Sequence, residues 1–154
     1  MKRMTFKRSL DSLEEIFQFT SGFFASQRVD PGLLPAVDLI VEELFTNVVE
    51  HSTGEGGDVP IEMEVVSDGV EVSLTDQPVD PFDITQVPEV DVSRPLEERD
   101  ERGLGLHLVR QFADSVEYQY EYRNRCSRII FRKTGSGGPE STEPGSEEKR
   151  DVRD

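Results

Sequence analysis

Hydrophobic and polar positions along the chain repeat with two different periods, and each marks an element. Residues 3–9, RMTFKRS, alternate weakly, as an edge strand does. Leu13, Ile16, Phe17, Phe19, Phe23 and Phe24 then recur at near-helical spacing, which predicts a helix capped by Asp11 or Ser12 and running to about Gln27. A second helix opens at VDPG, residues 29–32, with Asp30 as its cap and Pro31 at the first helical position. Its buried face is Leu33, Val37, Ile40, Val41, Leu44 and Val48, and it ends near His51, before the loop-like STGEGGD.

IEMEVVS and VEVSLTD alternate inward and outward and are joined by Asp68-Gly69, a hairpin signal. Residues 77–101 carry four prolines and many charges, and a stretch of that length within a compact domain reads as a functional lid. GLGLHLVRQFAD starts a third helix, and SVEYQYEYRN with RCSRIIFRK forms a second hairpin. The order is strand, two helices, two strands, lid, helix, two strands. Antiparallel hairpins with helices packed on one face make an α+β two-layer sandwich.

Composition divides the chain. Residues 134–154 are rich in Gly, Ser, Pro and Glu, with Val152 as their only large aliphatic residue, so they cannot offset their own ordering entropy. We therefore expect a folded domain over residues 1–133 and a disordered acidic tail over 134–154. Formal net charge is −15, of which the tail supplies −3 and the body −12. A body so acidic repels nucleic-acid phosphates and anionic membranes, and suits either a basic protein partner or a simply solvated surface. Cys126 is the sole cysteine, the first residues MKRMTFKRSL lack the apolar run of a signal peptide, and no apolar stretch approaches a membrane span. The expectation is a cytoplasmic protein.

Candidate chemistry begins inside the second helix. In VEELFTNVVEHS, residues 41–52, Glu43, Asn47 and His51 recur every four residues and fall within about 80° on a helical wheel. A solvent-facing stripe would also show this spacing, but a mid-helix Asn between Phe45 and Val48 is unfavourable and calls for a reason. Two distant segments supply candidates. Asp76 ends an alternating strand, where a carboxylate either starts a turn or accepts a hydrogen bond from an exocyclic amine. In ERGLGLHLV two glycines precede a helix, an arrangement that lets backbone amides approach phosphates.

In that order, these three segments resemble the GHKL (Bergerat) ATP-binding fold, with its mixed, mostly antiparallel sheet and helices on one face. The resemblance is nearest to anti-sigma factor serine/threonine kinases and spans roughly residues 5–133. It implies ATP and Mg²⁺, with Asn47 holding the metal through its amide oxygen and Glu43 acting as general base toward a serine hydroxyl. Glu42 points about 100° away and is the weaker choice. His51 would shape the pocket or hydrogen-bond a phosphate. Asp76 would accept from the adenine N6 amine, and Ser127 would stand near the place of a small hydroxyl residue that holds adenine. Gly103, Leu104 and Gly105 would form the phosphate loop, Leu106 and His107 would begin its helix, and Arg102, with Arg99 as competitor, would neutralise γ-phosphate charge. One position departs from the pattern: Pro78 stands where the family carries Gly two residues after the Asp, removing an amide donor beside the purine.

The implied activity is phosphorylation of a STAS-type anti-anti-sigma antagonist in a partner-switching pathway, with a sigma factor as second partner and homodimerisation as an option. A non-catalytic module that binds a regulator, with or without ATP, is the alternative. A detached histidine-kinase catalytic domain fits less well, because His51 and His107 are the only histidines and both lie within the nucleotide motifs.

Overall fold

The computed structural model describes residues 1–51, 56–79 and 108–135. Five strands, β1 (Lys2–Phe6), β2 (Val59–Val66), β3 (Gly69–Asp76), β4 (Ser115–Glu121) and β5 (Cys126–Thr134), form one sheet in the order β1-β2-β3-β5-β4. All four pairings among the described residues are antiparallel, so the expected mixed component is not found there. Two helices, α1 (Leu13–Gln27) and α2 (Leu34–Glu50), pack on one face, which gives the expected α+β two-layer arrangement. Residues 108–112 are also helical; the lid and the start of the third helix lie outside the described residues.

The first strand ends at Phe6, earlier than its alternation suggests, because Lys7–Ser12 turn the chain. Ser9, rather than Asp11 or Ser12, does the capping: its hydroxyl accepts from the Asp11 amide at 3.2 Å and opens a 3-10 turn over Leu10–Ser12. Ser12 stands at the N-cap position of α1, yet its hydroxyl donates to the Lys7 carbonyl at 2.8 Å instead of capping. Asp30 caps as expected, accepting from the Gly32 amide at 2.9 Å, although it opens a 3-10 turn over Pro31–Leu33 that leads into α2.

Cross-strand register explains the core. Met63, Val72, Phe131 and Val116 face one another in one row across four strands, and Ile61, Leu74, Ile129 and Tyr118 in the next. Against these rows pack Ile16, Phe23 and Phe24 of α1 and Val37, Ile40, Val41, Leu44 and Phe45 of α2. Phe45, absent from the face expected for α2, is fully buried, whereas Val48 is only partly so. The opposite sheet face is polar: Glu62 meets Arg3 at 3.4 Å and Arg128 at 3.3 Å, and Arg132 meets Glu71 at 2.8 Å. Exposed pairs of this kind contribute little to stability, on the order of 0–1 kcal/mol.

The β2–β3 hairpin turns on Ser67 and Asp68, one residue before the expected Asp-Gly pair, with Asp68 in the left-handed region at φ 65°. Gly69 already belongs to β3 and pairs with Val66 and Thr134. A Cβ there would lie inside the van der Waals surface of the Lys133 carbonyl oxygen, so β5 approaches where only glycine fits. Gly69→Ala is expected to destabilise the domain by about 1–3 kcal/mol, read as a lower urea midpoint at unchanged m-value.

Candidate active site

The register that builds the core also builds a polar row at one end of the sheet. Asp76 is paired with Ser127, and Ser127 with Tyr120, so the three share the helix-side face one row beyond Leu74, Ile129 and Tyr118. The register thus sets Asp76 and Ser127, the two residues that the resemblance links to adenine, opposite each other. Ile61 pairs with Leu74, which puts the start of β2 at this same end. Eight residues separate Glu50, the last residue of α2, from Val59 at that start.

The C-terminal part of α2 carries Glu43 and Asn47, both half-buried, while Glu42 is exposed. Burial, followed by the charges of Glu42 and Glu50, pushes the Glu43 carboxyl above the usual glutamate range. His51 is exposed and occupies the C-cap at φ −106°, so the polar line within the helix consists of two residues and not three. Its amide donates to the Asn47 carbonyl at 3.1 Å. Among the described residues no group of three or more His, Cys, Asp or Glu could hold a metal. Asn47 offers one amide oxygen, a donor that suits a hard cation taking few protein ligands.

Sequence reasoning missed Arg8. Its Nη1 donates to Asp76 Oδ1 at 2.7 Å, with both side chains mostly buried, at 11% and 13% exposure. Its Nε reaches the Gly57 carbonyl at 3.2 Å and its Nη2 the Gln77 carbonyl at 3.5 Å. A lone arginine after a short strand carries no periodic signal, and its partner lies 68 positions away. The segment carrying Pro78 is also tied down. Val79 N donates to the Arg125 carbonyl at 2.8 Å, Gln77 Nε2 to the Asn124 carbonyl at 3.3 Å, and the Tyr120 hydroxyl to the Val79 carbonyl at 2.6 Å. Proline is tolerated because the neighbouring residues supply the hydrogen bonds to the β4–β5 turn. Beside this row, burial and then the charges of Glu121 and Asp76 push the Cys126 thiol up, so it stays protonated at neutral pH. Arg99, Arg102, Gly103, Leu104, Gly105, Leu106 and His107 lie outside the described residues.

An antiparallel sheet covered on one face by two helices, one of them bearing the Asn motif, with a strand-terminal Asp, is the arrangement expected of an ATPase-type domain of the GHKL class. The Histidine kinase-like ATPase domain family matches residues 6–133, and the chain belongs to that family. It is similar to Serine-protein kinase RsbW of Halalkalibacterium halodurans, 35% identical over 85 residues, which cover 53% of this chain and 52% of that protein. It is also similar to Serine-protein kinase RsbW of Bacillus cereus, 30% identical over 88 residues, covering 54% of each. The chain thus spans about half the length of the curated relatives it matches. Among the described residues no helix is long and apolar enough to cross a membrane.

Proposed function

We propose that the chain is an ATP-dependent serine/threonine protein kinase of the cytoplasm, acting as an anti-sigma regulatory factor that phosphorylates a STAS-type antagonist. The observation that carries this reading is Glu43, half-buried and with its carboxyl pushed up by burial, one turn before Asn47 on α2, in a fold whose sheet pairs Asp76 with Ser127. The similarity to serine-protein kinases over half the chain supports it. Bound Mg²⁺ would neutralise phosphate charge and hold the triphosphate in a reactive geometry, with Asn47 as its protein ligand.

The chain's own residues supply the rest. Asp76 and Ser127 would orient the base. Glu43 would take the proton from the attacking serine hydroxyl as its oxygen forms a bond to the γ-phosphorus and ADP leaves. Arg102 and residues 103–107 would receive the phosphates, and His51 would stand at the mouth of the site as a phosphate hydrogen-bond donor. The sigma factor is the expected second partner, and homodimerisation is compatible with this reading.

A thermal-shift titration tests nucleotide use: saturating Mg-ATP is expected to raise Tm by an amount that grows with the logarithm of nucleotide concentration. Asp76→Asn should lower the affinity by about tenfold or more, because it converts an acceptor toward the adenine amine into a mixed donor and acceptor. The alternative, a module that captures a regulator without catalysis, draws on one observation: Arg8 already engages Asp76. Absence of any shift, together with no label transfer from radiolabelled ATP to STAS-type antagonists, would select that alternative.

A further inference from the structure

Arg8 sits in a built socket. It reaches across from the turn after β1, and its guanidinium bonds Asp76 at the end of β3, the Gln77 carbonyl just beyond it and the Gly57 carbonyl. Gly56 opens the space for it: φ there is 97°, and a Cβ would come within 2.6 Å of Arg8 Nη2. The pair with Asp76 is mostly buried, which an arginine rarely accepts without satisfied geometry. Among the described residues, the hydrogen bond to Asp76 falls on Oδ1 alone and Oδ2 takes none.

We propose that Arg8 is a positioning residue that sets purine selectivity: by holding Oδ1 it fixes the plane of the Asp76 carboxylate and presents Oδ2 to the 6-position of the base. This rests on the nucleotide reading above. A fixed acceptor attracts a 6-amino group and repels a 6-oxo group. A carboxylate free to turn about its last torsion does both less well, since it makes a poorer bond to the amine and swings away from the oxo oxygen. Discrimination of this kind depends on a buried polar atom that cannot relax. Arg8 would touch no part of the nucleotide itself. Lysine would keep the charge but lose the fork that bonds Asp76, Gln77 and Gly57 together.

The experiment is isothermal titration of the full chain with Mg-ATP and with Mg-ITP, whose bases differ in the amino or oxo group at position 6 and in protonation at N1. The wild type is expected to prefer ATP. Arg8→Ala should weaken ATP by about tenfold while changing ITP by less than about threefold, so that the ATP-to-ITP ratio collapses. Arg8→Lys should restore part of the ratio, and Arg8→Gln provides the same readout if the alanine variant does not fold. Equal weakening of both nucleotides would reduce Arg8 to a structural tie and overturn the proposal, as would tighter ATP binding by Arg8→Ala, which would make the arginine a competitor for Asp76. A wild type that binds neither nucleotide, or an Asp76→Asn variant with undiminished ATP affinity, would instead remove the nucleotide reading on which the proposal stands.

Discussion

Glu43→Gln is expected to slow phosphoryl transfer to an antagonist serine by about 10²- to 10⁴-fold while Mg-ATP affinity stays within about threefold of the wild type. Glutamine keeps the shape and hydrogen-bonding reach of the side chain but cannot take a proton at neutral pH. The raised pKa of Glu43 sets a second signature. Burial is the main cause, so the ionised form is disfavoured in the folded chain relative to the unfolded one. The folded state therefore binds the proton more tightly. The stability linked to Glu43 is fully present below the unfolded-state value and is lost as pH rises through the higher folded-state value. At pH near 7 the ionised side chain lowers stability, and Glu43→Gln should raise Tm there, with the advantage fading as pH falls through the raised folded-state value and levelling out below the ordinary glutamate value of 4.5. Activity should move the other way, rising with pH as Glu43 loses its proton, with a midpoint above 4.5. Single-turnover transfer, nucleotide titration and thermal melts across pH read these effects separately. Wild-type transfer by Glu43→Gln would remove the base assignment. Lost transfer accompanied by a lower Tm at neutral pH would point to damage to α2 instead.

Phe45→Ala is expected to cost about 3–5 kcal/mol of folding stability, a large share of what a domain this size possesses. Phe45 lies two residues after Glu43 and two before Asn47, about 160° around the helix from each, so the turn that carries these two candidates also anchors α2 in the core. It is fully buried and shares the core cluster with Val72, Leu74 and Phe131 of the sheet and with Ile16 of α1. Truncation removes the transfer free energy of a phenyl ring and leaves a cavity that rigid neighbours can close only in part. Phe45→Leu should recover more than half of the loss, because most of the volume returns. Urea denaturation at constant m-value measures both variants. A cost below about 1 kcal/mol for Phe45→Ala would mean that α2 does not pack against this sheet as described.

Periodicity carried much of the fold. The 3.6-residue repeat of Val37, Ile40, Val41 and Leu44 marks a helix face, and the alternation of IEMEVVS, VEVSLTD and RCSRIIFRK marks strands, because each pattern reflects which side of a local element meets the core. Boundaries shifted where capping intervened: Ser9 ended the first strand's run, and the hairpin took Ser67 and Asp68 as its turn, leaving Gly69 to the close approach of β5. Phe45 stands in the midst of the polar positions Glu43 and Asn47, where an apolar residue reads as a flank in the sequence. The assignments of Glu43, Asn47 and Asp76 came from motif order, an argument that needs no distances.

What the sequence by itself determined is the succession of elements, their buried faces and the three polar segments worth examining, since these depend on neighbours within a turn or a strand. The tertiary structure alone decided that β5 lies between β3 and β4, which sets Ser127 opposite Asp76 and Tyr120 beyond it, and that Arg8 closes on Asp76 from 68 positions away. Strand order and a mostly buried ion pair arise from long-range burial competing with desolvation, and that balance leaves no periodic trace in the residues it joins.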